Sequence, residues 1–111
     1  MKIDTGKMSY EATWEEYEPG VKVKVRPYPA SMGGITLKDG AIQLTNDERF
    51  RVFDYSAEAW DGITGGDDNP LPCTSEVKKI IFDFEMDVDL IRFVTDKAIE
   101  KRKAKEDSLK N

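Results

Sequence analysis

Three groups of residues have types that could do chemistry: a lone cysteine, Cys73, the oxygen donors Asp61, Asp67, Asp68 and Asn69, and the carboxylates Glu11, Glu15, Glu16 and Glu18. The chain contains no histidine, which removes the commonest general base and the commonest zinc ligand. A cysteine without histidine lacks the usual partner of a nucleophile pair. Cys73 stands just before a helix start, where a helix N-terminus can lower a thiol pKa, yet between Pro72 and a cap residue it reads as a small packing residue. "DGITGGDDN" offers hard donors for calcium. A calcium loop, however, needs alternating acids, a central glycine and a closing glutamate, and Ile63 and Thr64 occupy positions where ligands would be wanted. "GITGGDD" has no following Gly-Lys-Ser/Thr, and its aspartates would repel phosphate. Nothing sets two carboxylates beside an apolar cleft for acid–base work. The expectation is a protein with no catalytic residue, no metal site and no cofactor, and therefore not an enzyme.

Composition narrows the class further. The 111 residues suit one domain, and the charged fraction of 35% beside 39% hydrophobic residues suits a small core with much surface. A net charge of -5 argues against nucleic-acid or anionic-membrane binding. Lys101, Arg102, Lys103 and Lys105 form a basic stretch that could touch RNA, but it reads more simply as a solvated helix end. A single cysteine forms no intrachain disulfide and suits a reducing cytoplasm. No apolar run approaches the roughly 20 residues of a membrane span, and "MKIDTGKMSY" has no signal-peptide core.

The elements that must position these residues are legible from periodicity. Residues 1–9 are expected to be flexible, 10–100 to form a single α+β domain, and 101–111 to be a basic, solvated helix end with a disordered tail. Val21, Val23 and Val25 alternate with Lys22, Lys24 and Arg26, as in a strand with one buried face. Tyr10, Ala12 and Trp14 alternate likewise, and Pro19-Gly20 is the turn between the two strands. A plain Pro-Gly turn twists the wrong way for a tight hairpin, so a bulge or longer loop is expected. "ITLKDGAIQLT" predicts a second, short hairpin around Asp39-Gly40.

Thr45 with Glu48 is a capping box, and Phe50, Phe53, Ala57 and Trp60 then fall on one helical face, with Gly62 as the stop. A second helix begins at Thr74 or Ser75 with Val77, Ile80, Ile81 and Phe84 as its stripe. A third, capped by Asp87, carries Leu90, Ile91, Val94 and Ala98. β-Hairpin elements followed by about three helices make an α+β fold rather than a parallel α/β sheet. Phe82 and Phe93 fall off the main stripes; they mark a contact surface if exposed and a second buried face if not.

"EAWDGITGGDDNPLPCTSEVKKIIFDF" followed by "LIRFVTDKA" resembles a pattern in small tail-module proteins of tailed phages and prophages, namely the tail assembly chaperone group. A helix ends in Trp-x-Gly-aliphatic, an acidic glycine-rich turn leads to Asn-Pro-Leu-Pro and a Thr-capped helix, and a Phe-Val pair follows. "GVKVKVRPYPAS" is similar to the early strand of such proteins. The likeness covers residues 10–30 loosely and 47–100 better. The group is mostly helical, so the N-terminal strands depart from it. The resemblance implies a transient binding role in the bacterial cytoplasm: holding the tape-measure protein soluble and bringing tail-tube protein to it, with weak self-association. The residues expected at the partner surface are Trp60, Leu71, Phe82, Phe93 and Val94. The alternative is a structural tail or head–tail connector subunit retained in the virion, using its strand edges.

Overall fold

A computed structural model describes residues 11–28, 36–38, 41–84 and 88–109, with the side chains of 36–38, 41–43 and 105–109 left aside. The expected flexible stretch 1–9, the 39–40 turn and the Asp87 cap lie outside the described residues. The chain is α+β: the described residues form a three-stranded antiparallel sheet, a short two-stranded one, and three helices.

Strand β1 (Thr13–Glu18) pairs antiparallel with β2 (Val21–Val25) across the Pro19-Gly20 turn. Gly20 takes φ +84°, and the register slips between Glu16 and Glu18, which is the bulge that the Pro-Gly turn requires. Alternation puts Val23 and Val25 inside at 0% exposure. On β1 the inward residues are Glu15 and Tyr17, while Trp14 lies on the outer face and is half exposed, against the expected inward Trp14. Glu16 opposes Lys22 on that outer face, an acidic residue against a basic one across the ladder. β3 (Thr36–Lys38) and β4 (Ala41–Gln43) form the second hairpin, with Leu37 opposite Ile42.

Helix α1 (Asn46–Ser56) starts at the expected capping box: the Thr45 hydroxyl accepts from the Glu48 amide, and the Glu48 carboxylate accepts from the Thr45 amide. Its end corrects the expectation. The helix stops at Ser56, and Ala57–Asp61 is a strand, β5, antiparallel to β2. Ala57 and Trp60 therefore continue the sheet rather than a helical stripe. Ala57, Glu58 and Ala59 are acceptable helix residues, but β2 offers a free ladder edge and long-range pairing overrides local propensity. The Arg26 amide donates to the Ser56 carbonyl (3.0 Å) and the Arg26 Nε to the Tyr55 carbonyl (2.7 Å), joining the end of α1 to the end of β2. The Arg26 guanidinium also stacks 3.8 Å from the Tyr55 ring centre.

Helix α2 (Ser75–Asp83) is capped by Thr74, whose hydroxyl accepts from the Val77 amide. Helix α3 spans Val88–Leu109. Leu90, Ile91, Val94 and Ala98 are buried, as the spacing predicts. They meet Val23, Val25, Val52, Phe53 and Ala57 in one core between the inner sheet face and the helices. Each large apolar side chain so buried contributes on the order of 2 kcal/mol. The basic stretch read as a solvated end and tail is helical through Leu109, and Lys101 docks on the sheet: its Nζ lies 2.6 Å from the Glu15 carboxylate and bonds the Thr13 hydroxyl.

Candidate partner-binding surface

The connector of residues 62–74 closes on itself. Gly62 takes φ +88° and abuts the β1–β2 turn so closely that a Cβ there would lie 1.9 Å from the Gly20 carbonyl oxygen. The Leu71 amide donates to the Ile63 carbonyl and the Gly65 amide to the Asn69 carbonyl, each at 2.9 Å, so the loop is a small hairpin. At its tip Asp68 adopts the left-handed region at φ 61°. Asp67 Oδ1 accepts from the Asn69 amide (3.1 Å) and Oδ2 from the Asn69 side chain (2.9 Å). Those hydrogen bonds, the side-chain one foremost, hold the Asp67 carboxyl below its ordinary range. Asp61 sits apart, on β5 opposite Lys22. Both Asp67 oxygens are thus engaged in shaping the turn. Among the described residues no group of three or more histidine, cysteine, aspartate or glutamate side chains could hold a metal ion.

Cys73 is half-buried, and its thiol donates to the Ala57 carbonyl (3.3 Å). Burial pushes its pKa up, with the nearby Lys78 ammonium opposing more weakly. That is the opposite of what a reactive thiolate requires.

The five residues expected at the partner surface do not form one patch. Trp60 and Leu71 come together: the indole Nε1 donates to the Leu71 carbonyl at 2.8 Å, and both are half-buried. Phe82 packs edge-on against Phe50, with ring centres 5.3 Å apart. Phe93 packs on Tyr17 of β1, also at 5.3 Å. Both phenylalanines are partly buried against the core, which fits a second packed face. Val94 is 0% exposed and lies within the core, so it presents nothing to a partner.

The exposed apolar surface lies elsewhere. Phe84 is 75% exposed, Ile80 50% and Val88 41%. Phe84, the C-cap of α2, lies one turn beyond Ile80, and Val88 opens α3. The face of α2 is turned from the one expected: Val77, Lys78, Ile81 and Phe82 pack inward, and Ile80 and Phe84 point out. The cause is Lys78. Its stem fills core space while its Nζ donates to the Asp54 carbonyl (2.7 Å), near the Asp54 carboxylate (3.7 Å). The Ser75 hydroxyl donates to that carboxylate at 2.7 Å and fixes the rotation of the helix start. The signal that could have found Ile80 and Phe84 is the excess of apolar residues: a short helix with Val77, Ile80, Ile81, Phe82 and Phe84 has more than one buried face can take.

Beside this corner an open groove of about 540 Å³ runs between α1, α2 and α3. Its apolar lining is Leu44, Phe82, Val88, Ile91 and Ile99, and its charged lining is Arg49, Arg92, Asp83 and Asp96. Val88 both lines the groove and is exposed. No helix among the described residues is long and apolar enough to cross a membrane. Compared with family models, curated proteins and solved structures, the chain matches none of them.

Proposed function

We propose that this protein is a non-enzymatic binding protein that works as a phage or prophage tail assembly chaperone. It acts in the bacterial cytoplasm, transiently covers amphipathic helix of the tape-measure protein and helps to recruit tail-tube subunits. The observation that carries the reading is the exposure of three large apolar side chains, Ile80, Phe84 and Val88, of which Val88 lines the groove. Apolar side chains grouped on otherwise charged helices fit reversible contact with an apolar helix face better than they fit chemistry. The raised thiol of Cys73 and the turn-bound Asp67 support a non-catalytic role. The named partners come from the sequence resemblance. Co-expression with the neighbouring tape-measure protein is the test: the chaperone should hold it in the soluble fraction and co-elute with it. Unchanged solubility and separate elution would end the reading.

A second reading is a structural tail or head–tail connector subunit that stays in the virion. It is favoured by the sheet order β1-β2-β5, in which β1 and β5 are the edges among the described residues and could accept a strand from a neighbour. Mass spectrometry of purified particles separates the two, since a stoichiometric copy number supports the structural role and absence supports the chaperone.

A further inference from the structure

We infer that the α3 face made by Val88, Arg92, Asp96 and Ile99 docks a second copy of this chain, the two α3 helices lying antiparallel across a two-fold axis between Arg92 and Asp96. This partner is additional to the one proposed above, and its docking does not depend on the tape-measure protein.

The inner face of α3 is taken up by the core, with Leu90, Ile91, Val94 and Ala98 each 4% exposed or less. Val88, Arg92, Asp96 and Ile99 follow one another at i+4, i+4 and i+3 on another face of the helix, along the groove. Val88, Arg92 and Asp96 are exposed, and Ile99 is partly so. Arg92 and Asp96 stand one turn apart, yet neither makes an ion pair with any described residue. A cation placed N-terminal to an anion is the weaker order for a pair within one helix. The charges along the groove balance, Arg49 and Arg92 against Asp83 and Asp96. Such a face favours neither an acidic nor a basic partner, but it can match itself. A two-fold axis between Arg92 and Asp96 sets each arginine opposite the aspartate of the other copy, so both orphan charges are paired at once. That axis lies roughly 9 Å along the helix from Val88 and roughly 7.5 Å from Ile99, so Val88 of one copy meets Ile99 of the other on either side of the ion pairs. A few turns of helix make a small contact, and the dimer is therefore weak and concentration-dependent.

Sedimentation velocity of the full chain over a concentration series at low salt should show a monomer–dimer equilibrium that weakens as salt is added. Arg92→Asp sets aspartate against aspartate across the axis, and Asp96→Arg sets arginine against arginine. Each variant should weaken the dimer about tenfold, the change expected when two rim ion pairs become two like-charge contacts. Mixed one to one, the two variants should form a heterodimer about as tight as the wild-type dimer, because every arginine of one then faces an aspartate of the other. The double exchange Arg92→Asp with Asp96→Arg should also dimerise as wild type does. Both side chains are exposed, so the urea unfolding midpoints should stay unchanged. A wild-type chain that stays monomeric throughout the series, a dimer that either single variant leaves intact, or a mixture that stays monomeric would overturn the inference. So would a dimer lost on Ile80→Ser with Phe84→Ser but kept in Arg92→Asp, which would move the contact to α2.

Discussion

The segment of β5 and the connector, residues 57–74, and the exposed corner residues Ile80, Phe84 and Val88 treat the same kinds of residue in opposite ways. In this segment Asp67, Cys73 and Trp60 are tied to their neighbours: Asp67 to Asn69, Cys73 to the Ala57 carbonyl, and the Trp60 indole to the Leu71 carbonyl. At the corner, ordinary aliphatic and aromatic side chains stand in solvent, and the arginines of the groove have no described ion pair. The conspicuous motif is scaffold, and the plain helix carries the surface that a partner can use. Substitutions in the first region should therefore cost stability, and substitutions in the second should cost binding alone.

The largest stability effect belongs to Gly62. Gly62→Ala places a Cβ into the Gly20 carbonyl at a left-handed φ, and urea denaturation should show a loss of about 3 kcal/mol. Gly20→Ala, at a similar φ but with nothing within 4 Å of the added carbon, should lose only about 1 to 2 kcal/mol. Equal losses would mean that φ, and not the approach of the two turns, sets the demand for glycine at 62. Next in size, Trp60→Phe keeps the ring packing but strands the Leu71 carbonyl, and should lose about 1 to 2 kcal/mol in the same assay.

Reading this division from the sequence succeeds where the signals are local. The Thr45–Glu48 box, the Thr74 cap, the Pro19-Gly20 turn with its bulge and the Leu90, Ile91, Val94, Ala98 stripe all depend on residues within a turn or two, and all are present. Reading fails where distant partners decide. Trp60 sits at helical spacing from Phe53 and Phe50, but β2 recruits it into a strand. Lys78 looks like a solvent residue, but it is buried and bonds the Asp54 carbonyl, while Ile80 and Phe84 stand exposed. No pattern within α2 announces that acceptor, which lies on another helix. Val94 is the converse: it occupies a regular core position at 0% exposure, so the expectation of a contact residue there fails.

A smaller effect tests the docking of the basic stretch. The hydrogen bond from Lys101 holds the Glu15 carboxyl below its ordinary value, against the burial that raises it. A carboxyl whose pKa falls on folding adds stability above its unfolded pKa, about 4.3, and that gain is lost as the pH falls through the lower folded value. Lys101→Met should therefore cost less than about 1 kcal/mol at neutral pH, and less again in acid below both values. A cost that does not change between neutral pH and acid would show that Lys101 contributes only by packing.

The smallest stability effect should come from the corner itself, where Ile80→Ser with Phe84→Ser should alter the unfolding free energy by within about 0.5 kcal/mol. That near-silence makes the double variant the sharpest probe of the central claim, that the α2–α3 corner is the surface on which a partner is held. The measurement is the amount of tape-measure protein that co-elutes with wild type and with the double variant after co-expression. The account predicts co-elution with wild type and its loss in a variant of unchanged unfolding midpoint. Co-elution undiminished in the double variant would contradict it.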